Sequence, residues 1–182
     1  MFRIALRKLS QLALATILLT GLWFSQSAPA YAVSEKPMFV AALPGLSNFF
    51  AGTRPTNLGV KAGKLAPCPN SPNCVVSQGA QDREHAIAPI SYTVDKATAL
   101  AKLKAVIAAQ PRATLVEQTE DYLYAEFTSQ LMGFVDDVEF YFDSDEPVIQ
   151  VRSASRLGES DLGVNRKRIE AIRTAFAIAE RV

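Results

Sequence analysis

Apolar residues along the second half of the chain follow helical spacing in two places and strand spacing between them. From Asp95 to Ala109 the spacing predicts an α-helix, and Pro111 follows as a stop signal. A second helix is predicted from Gly163 or Val164 to Arg181. Four short stretches between them are rich in β-branched and aromatic residues, at 113–118, 122–128, 134–142 and 148–154. Because short connections favour antiparallel neighbours, the sequence predicts an α+β domain in which a four-stranded antiparallel sheet carries two helices on one face.

Alternation in the third predicted strand assigns its side chains to two faces. The face that we expect under the helices is apolar apart from one acid and carries Phe134, Asp136, Val138, Phe140 and Phe142. Asp136 would need a partner there, since an unpaired buried carboxylate is costly. Asp137 falls on the other face. On that face a tight hairpin would place Arg152 opposite Asp137 or Glu139, unless a β-bulge shifts the pairing. We therefore expect Asp136→Ala to destabilise the fold more than Asp137→Ala.

The chain begins like an exported protein. Three basic residues precede an apolar run at 12–24, and an Ala-x-Ala site ends at Ala32. This pattern predicts a Sec signal peptide over residues 1–32, cleaved after Ala32 or after Ala30. Residues 33–51, with prolines and scattered aromatics, are interpreted as a linker. Residues 52–182 then form a single domain, which we expect to be soluble.

The net charge argues against binding to nucleic acid. The whole chain has 19 basic and 18 acidic residues. Removal of the predicted signal peptide leaves 16 bases and 18 acids, a net charge of −2, whereas a nucleic-acid binder would show a basic excess. We expect no bound cofactor, and the oligomeric state is left open.

The only two cysteines are Cys68 and Cys74, separated by a loop that contains two prolines. In an exported protein this even count favours a structural disulfide. A zinc site needs four ligands, and a redox pair usually has two intervening residues, so both alternatives are disfavoured and no metal is expected. The sole histidine, His85, lies in a polar loop and is interpreted as a surface residue or a loop pin rather than a catalyst.

Charge is segregated between the predicted sheet and the stretch that follows it. Residues 113–151 contain ten acids and no base, whereas residues 152–168 contain five bases and two acids. We name the stretch 152–168 the basic corner, because it joins the last strand to the last helix. If Asn165 is the N-cap of that helix, three bases fill its first turn, where the helix dipole disfavours them. Their counter-charges are either protein carboxylates, which is the commoner case, or a bound ligand.

Three motifs resemble one family. They are L-G-V-K-A-G-K-L-A-P-C-P-N-S-P-N-C-V at 58–75, G-F-V-D-D-V-E-F at 133–140 and R-S-A-S-R-L-G-E-S-D-L-G-V-N-R-K-R-I at 152–169. Together they resemble the domain-of-unknown-function family 1499 (DUF1499) from about Gly52 to Phe176. The extended first motif is similar to the version in oxygenic phototrophs, which implies a periplasm or a thylakoid lumen. The resemblance implies no activity.

Three functions compete at this stage. The favoured one is a non-enzymatic module that binds an acidic partner protein or a small anion at the basic corner. Its candidate binding residues are Asp136, Asp137, Arg152, Ser153, Ser155, Arg156, Asp161, Asn165 and Arg166. The second is a hydrolase in which Asp136 or Asp137 is the base and Arg156 stabilises an anion, although no nucleophile motif such as G-x-S-x-G is present. The third is a structural or assembly protein with peripheral contact to a membrane through the linker aromatics.

Overall fold

A computed structural model describes residues 50–182. The predicted signal peptide and all but the last two residues of the predicted linker lie outside this range. The described chain forms six strands and two helices. In chain order they are β1 (Cys74–Val76), β2 (Ile90–Ser91), α1 (Lys96–Ala108), β3 (Ala113–Gln118), β4 (Tyr122–Thr128), β5 (Val135–Phe142), β6 (Val148–Ser155) and α2 (Val164–Glu180).

The strands form one antiparallel sheet in the order β1-β6-β5-β4-β3, and β2 also pairs with β6. The predicted meander is present as β3 to β6. The prediction of four strands is wrong, because β1 and β2 extend the sheet beyond β6. They are three and two residues long, too short to show an alternating pattern in the sequence. Both strands cover an edge of β6 that would otherwise expose unpaired backbone groups.

Both helices pack on one face of the sheet, as predicted. Asp95 is the N-cap of α1, where its Oδ1 accepts a hydrogen bond from the Thr98 backbone N–H at 2.9 Å. The buried core between helices and sheet includes Leu103, Ile107, Leu123, Phe140, Phe142, Ile149, Val151, Ile169, Ile172 and Phe176. This apolar layer supplies the main driving force for folding. It also places the start of α2 over the beginning of β5 and the end of β6.

The opposite face of the sheet is also covered, by the chain segment that precedes the disulfide loop. A second apolar cluster buries Leu65 with three tyrosines of the sheet, Tyr122, Tyr124 and Tyr141, and Leu58 and Val60 pack against it. All eight residues of β5 are buried as a result. The sequence placed Asp137 on the face away from the helices, where we expected a surface ion pair, but that face is covered and Asp137 is buried. We name residues 54–65 the cover segment.

No helix formed by residues 50–182 is both long and apolar enough to cross a membrane.

Candidate functional site

Asp136 and Asp137 begin β5 and point to opposite faces of the sheet. Asp136 lies on the helix face, where its Oδ2 accepts a hydrogen bond from Arg168 Nη2 at 2.5 Å. Asp137 lies under the cover segment and binds Arg156. The sequence-based expectation that Asp136 needs a basic partner is confirmed, and α2 supplies that partner.

Arg156 is the centre of a buried network on the covered face. Its Nε donates to both carboxylate oxygens of Asp137, at 3.1 and 3.0 Å. Its Nη2 donates to Glu126 Oε1 at 2.5 Å and to the Tyr124 hydroxyl at 3.1 Å. These hydrogen bonds, above all those with Asp137, raise the pKa of Arg156 further above its ordinary value. Its side chain is only 6 % exposed, so Arg156 has no free face for a ligand.

The same network ties the cover segment to the sheet. Arg54 donates to Glu126 Oε1 from Nε at 2.8 Å and from Nη2 at 2.6 Å. Burial acts to raise the pKa of Glu126, but hydrogen bonds from Arg156, Arg54 and Tyr124 together hold it below its ordinary value. For Tyr124, burial and the hydrogen bond with Asp137 raise the pKa. Glu126 is therefore ionised and the Tyr124 phenol is neutral, which suits a closed network of ion pairs.

Arg152 forms the second buried ion pair on this face. It lies opposite Glu139 in the β5–β6 register, which decides between the two partners that the sequence left open. Arg152 Nη1 donates to Glu139 Oε2 at 3.1 Å, and the other oxygen of Glu139 accepts from Gly59 N and from the Tyr122 hydroxyl. Glu139 is fully buried. Arg152 Nε is buried and lacks a hydrogen-bond acceptor among the residues that the structure describes.

On the helix face, Asn165 joins the last strand, the disulfide loop and α2. Its Oδ1 accepts from the Ser153 hydroxyl at 2.5 Å and from Arg168 Nη1 at 2.6 Å. Its Nδ2 donates to the backbone oxygen of Asn73 at 2.9 Å and to the Ser155 hydroxyl at 3.0 Å. Every polar atom of this buried side chain is therefore used inside the protein.

Asp161, rather than Asn165, accepts hydrogen bonds from the free backbone N–H groups at the start of α2. The helix begins at Val164 with Gly163 as its N-cap in the left-handed region, at φ 76°. Asp161 accepts hydrogen bonds from the backbone N–H groups of Gly163 and Asn165, at 2.9 and 2.7 Å. The prediction of Asn165 as N-cap is wrong, because its side chain turns into the core while Asp161 places a carboxylate at the positive end of the helix.

The remaining two bases of the corner differ in their surroundings. Arg166 Nη2 donates to the backbone oxygens of Glu84 and Ala86, both at 2.8 Å, and so holds the loop before β2. Lys167 is exposed, and its ammonium makes no hydrogen bond or ion pair with residues 50–182. Of the five bases in the basic corner, Lys167 alone has no such partner in the described part of the chain.

A cleft of about 430 Å³ lies beside the basic corner, between the end of α1 and the start of α2. Three bases line it, Arg112, Lys167 and Arg168, together with the acid Asp136. The Arg168 guanidinium lies over the Phe127 ring, 4.9 Å from its centroid. The other lining residues are Gln110, Pro111, Thr128, Ser129, Gln130 and Val164. We name this space the corner cleft.

Cys68 and Cys74 form a disulfide with an S–S distance of 2.05 Å, as the sequence predicts. The ring of His85 is buried beneath the same loop and holds it by hydrogen bonds. Its Nδ1 lies 2.9 Å from the Asp82 carboxylate and its Nε2 lies 3.2 Å from the Ser71 backbone oxygen. The hydrogen bond with Asp82 raises the pKa of His85 above 6.5. Of the two roles expected for His85, the loop pin is the one that this geometry supports.

The described residues hold no cluster of three or more His, Cys, Asp or Glu side chains placed to bind a metal ion. Of the groups named for a hydrolase, Arg156 is bonded to Asp137 and separated from Asp136. Arg156 and Asp137 are buried under the cover segment, whereas Asp136 lies on the helix face with Arg168. Asp136 and Arg156 therefore cannot act on one ligand without rearrangement of the sheet.

A family model described as "Protein of unknown function (DUF1499)" matches residues 64–176, more than half of the chain. The chain belongs to the DUF1499 family. The matched region includes the disulfide loop, both strand aspartates and the basic corner, but not most of the cover segment. No curated protein and no solved structure matches the chain.

Sequence reasoning missed several members of these networks. Arg54, Tyr124, Glu126 and Asn73 come from segments far from the basic corner in sequence, so their spacing gives no signal. One signal was available: ten acids without a base in residues 113–151 require bases from other segments. Arg168, within the corner itself, was a candidate partner for Asp136 on that ground.

Proposed function

We propose that this DUF1499 protein is a non-enzymatic binding module that holds an anionic group, a carboxylate or a phosphate, in the corner cleft. The observation that carries the proposal is the charge around this cleft. Arg112, Lys167 and Arg168 line it, and the one acid in the lining, Asp136, is already bound by Arg168. The cleft thus has two positive charges without counter-charges in its lining.

Arg112 has the geometry of a ligand-binding arginine. Its backbone adopts φ 54°, a left-handed conformation that is unusual for a residue other than glycine. Its Nε donates to the Thr128 backbone oxygen at 3.0 Å, which orients the guanidinium. The two terminal nitrogens have no protein partner among residues 50–182. An arginine oriented in this way can donate two parallel hydrogen bonds to a carboxylate or phosphate.

The proposed site uses none of the three arginines that the sequence favoured. Arg152 and Arg156 are neutralised by Glu139 and Asp137 inside the protein, and because removing one partner of such a buried pair is strongly destabilising, they serve the fold. Arg166 is bound to backbone oxygens of the loop before β2. Lys167 and Arg112 remain as the exposed donors.

The test is calorimetric titration with citrate and inorganic phosphate at low ionic strength. Because a hydrogen bond to a charged group contributes about 1.5 to 3 kcal/mol, Arg112→Gln and Lys167→Gln should each weaken binding by about 10- to 150-fold. Lys104→Gln is the matched control, since Lys104 is exposed on α1 and does not line the cleft. Equal affinity in the wild type and in the Arg112→Gln/Lys167→Gln double variant would contradict the proposal.

A further inference from the structure

Five exposed apolar side chains lie at the edge of the sheet that adjoins the corner cleft. They belong to the β4–β5 loop, the β6–α2 loop and the first residue of α2. They are Leu131 (69 % exposed), Met132 (41 %), Leu157 (41 %), Leu162 (86 %) and Val164 (45 %). We name this group the apolar edge.

The antiparallel topology brings the two loops together, because β4 ends, β5 begins and β6 ends on the same side of the sheet. A depression of about 150 Å³ lies between the loops. Phe134 lines it from one side and Leu157 from the other, with Val164 at the start of α2. Leu157 and Val164 thus line one depression, and Leu131, Met132 and Leu162 belong to the two loops that flank it.

Leu162 is unfavourable for the isolated domain in two respects. Its side chain is 86 % exposed to water, and its backbone adopts φ 54°, where a branched side chain is strained. A glycine or asparagine would suit this turn better. A leucine held outward in such a conformation gains free energy only if an apolar surface outside the described domain covers it.

The chain also enters the described domain at the apolar edge. Phe50 packs on Phe134, with 5.3 Å between the ring centroids. The sequence just before it is itself apolar and includes Met38, Phe39, Val40, Leu43, Leu46 and Phe49. Phe50, the first described residue, thus adds an aromatic ring to this side of the domain.

Positive charge adjoins the same surface. The corner cleft and the depression share Ser129, Asp136 and Val164 in their linings. Lys167 and Arg112, which also line the cleft, therefore lie on the same side of the domain as the apolar edge. Exposed aliphatic side chains beside bases match the interface of an anionic bilayer, where apolar groups enter the acyl boundary and bases attract the headgroups.

We propose that the apolar edge docks on the surface of an anionic lipid bilayer and that the corner cleft takes a lipid headgroup phosphate. This inference rests on the proposed function and names the source of its anion. The bilayer is favoured over a protein groove because the two apolar loop tips and the bases without counter-charges in the cleft lining lie on one side of the domain.

Tryptophan fluorescence in residues 33–182, the predicted mature protein, tests the docking. This chain has no native tryptophan, because Trp23 lies in the predicted signal peptide. L162W or M132W then reports on the apolar edge, and I178W is the control, because Ile178 is also exposed, at 59 %, but lies near the far end of α2. Vesicles of phosphatidylglycerol and phosphatidylcholine with brominated acyl chains should quench L162W and M132W strongly and I178W weakly.

The bases give the second readout. Since each base near an anionic surface contributes about 1 kcal/mol, Arg112→Gln and Lys167→Gln should each lower vesicle affinity about fivefold. Quenching that is absent, or equal at positions 162 and 178, would overturn the docking. If citrate and phosphate still bind the cleft in that case, the proposed function stands without the membrane. Quenching at 162 that neither base affects would overturn the assignment of the headgroup to the cleft.

Discussion

Arg156 and Asp137 form a multidentate ion pair in the interior of the protein: Arg156 Nε lies 3.1 and 3.0 Å from the two carboxylate oxygens, and Nη2 lies 2.7 Å from one of them. Their side chains are 6 % and 1 % exposed. Arg156, which the sequence places among the candidate binding residues, thus links the end of β6 to β5. The corner therefore divides into arginines that hold the fold and bases that face the cleft.

Arg156→Gln should lower the stability of the fold. The molecules that remain folded should bind anions in the corner cleft with unchanged affinity. The variant leaves Asp137 buried without its charge partner, which costs about 3 to 5 kcal/mol. Urea unfolding measures the loss. Arg54→Gln is the matched control, because Arg54 binds the same Glu126 but its side chain is 53 % exposed; its midpoint should hardly move. A large loss of anion affinity in folded Arg156→Gln would show that Arg156 is a ligand after all.

Asp137→Ala should destabilise the protein more than Asp136→Ala, the reverse of the order that strand parity suggests. Asp137 is buried under the cover segment, and its removal should cost about 3 to 5 kcal/mol. Asp136 lies at the wall of the cleft, and Arg168 would keep Ser153 and Asn165 as partners, so its removal should cost about 2 kcal/mol. Urea midpoints of both variants give the order directly. A larger loss for Asp136→Ala would mean that the cover segment contributes little to burial.

Much of this fold follows from local pattern, since the bounds of both helices and of β3 to β6 come from periodicity and stop signals such as Pro111. The sequence also limits the residue opposite Arg152 to Asp137 or Glu139, because a tight hairpin restricts the register between β5 and β6, and the structure selects Glu139. The cover segment does not follow, because it has no regular secondary structure and its burial depends on contacts distant in sequence. For the same reason the sequence could not show that Asp137 is buried or that Arg156 is unavailable.

The stability of the protein should depend on the protonation of His85. Both ring nitrogens face acceptors, the Asp82 carboxylate and the Ser71 carbonyl, so the imidazolium makes both hydrogen bonds and the neutral ring makes one. The pKa of His85 is raised above 6.5 in the folded protein, mainly by Asp82. Its contribution is therefore complete below pH 6.5 and is lost as the pH rises through the folded pKa.

Asp82 sets the acid limit of the same contribution. Its pKa is held below 3.8 by the hydrogen bonds from the His85 backbone and ring, so its stabilisation is lost as the pH falls through that lowered pKa. Thermal unfolding of the wild type and of His85→Gln, measured from acid to mildly alkaline pH, checks both limits. The difference in Tm should shrink as the pH rises above 6.5. A constant difference would show that the charge of His85 is irrelevant to the fold.

Leu162→Gly should stabilise the domain while it weakens vesicle binding. Glycine relieves the left-handed strain at φ 54°, and the exposed leucine contributes little apolar burial to the fold. The expected gain is about 1 kcal/mol, measured as a higher urea midpoint. Val164→Gly is a useful contrast, because glycine inside the first turn of α2 should destabilise. A loss of stability for Leu162→Gly would indicate that Leu162 packs within the molecule.

The site of anion binding itself is the most direct test of this account. Two-dimensional ¹H–¹⁵N NMR of the protein, titrated with inorganic phosphate at low ionic strength, locates the anion without any assumption about its natural source. If the anion binds in the corner cleft, the largest shifts occur at the Arg112 side-chain Nε–H and at the backbone amides of Ser129, Gln130 and Lys167. Shifts centred on Arg166 and His85 instead, or none at the corner cleft up to phosphate concentrations that saturate a weak site, would contradict it.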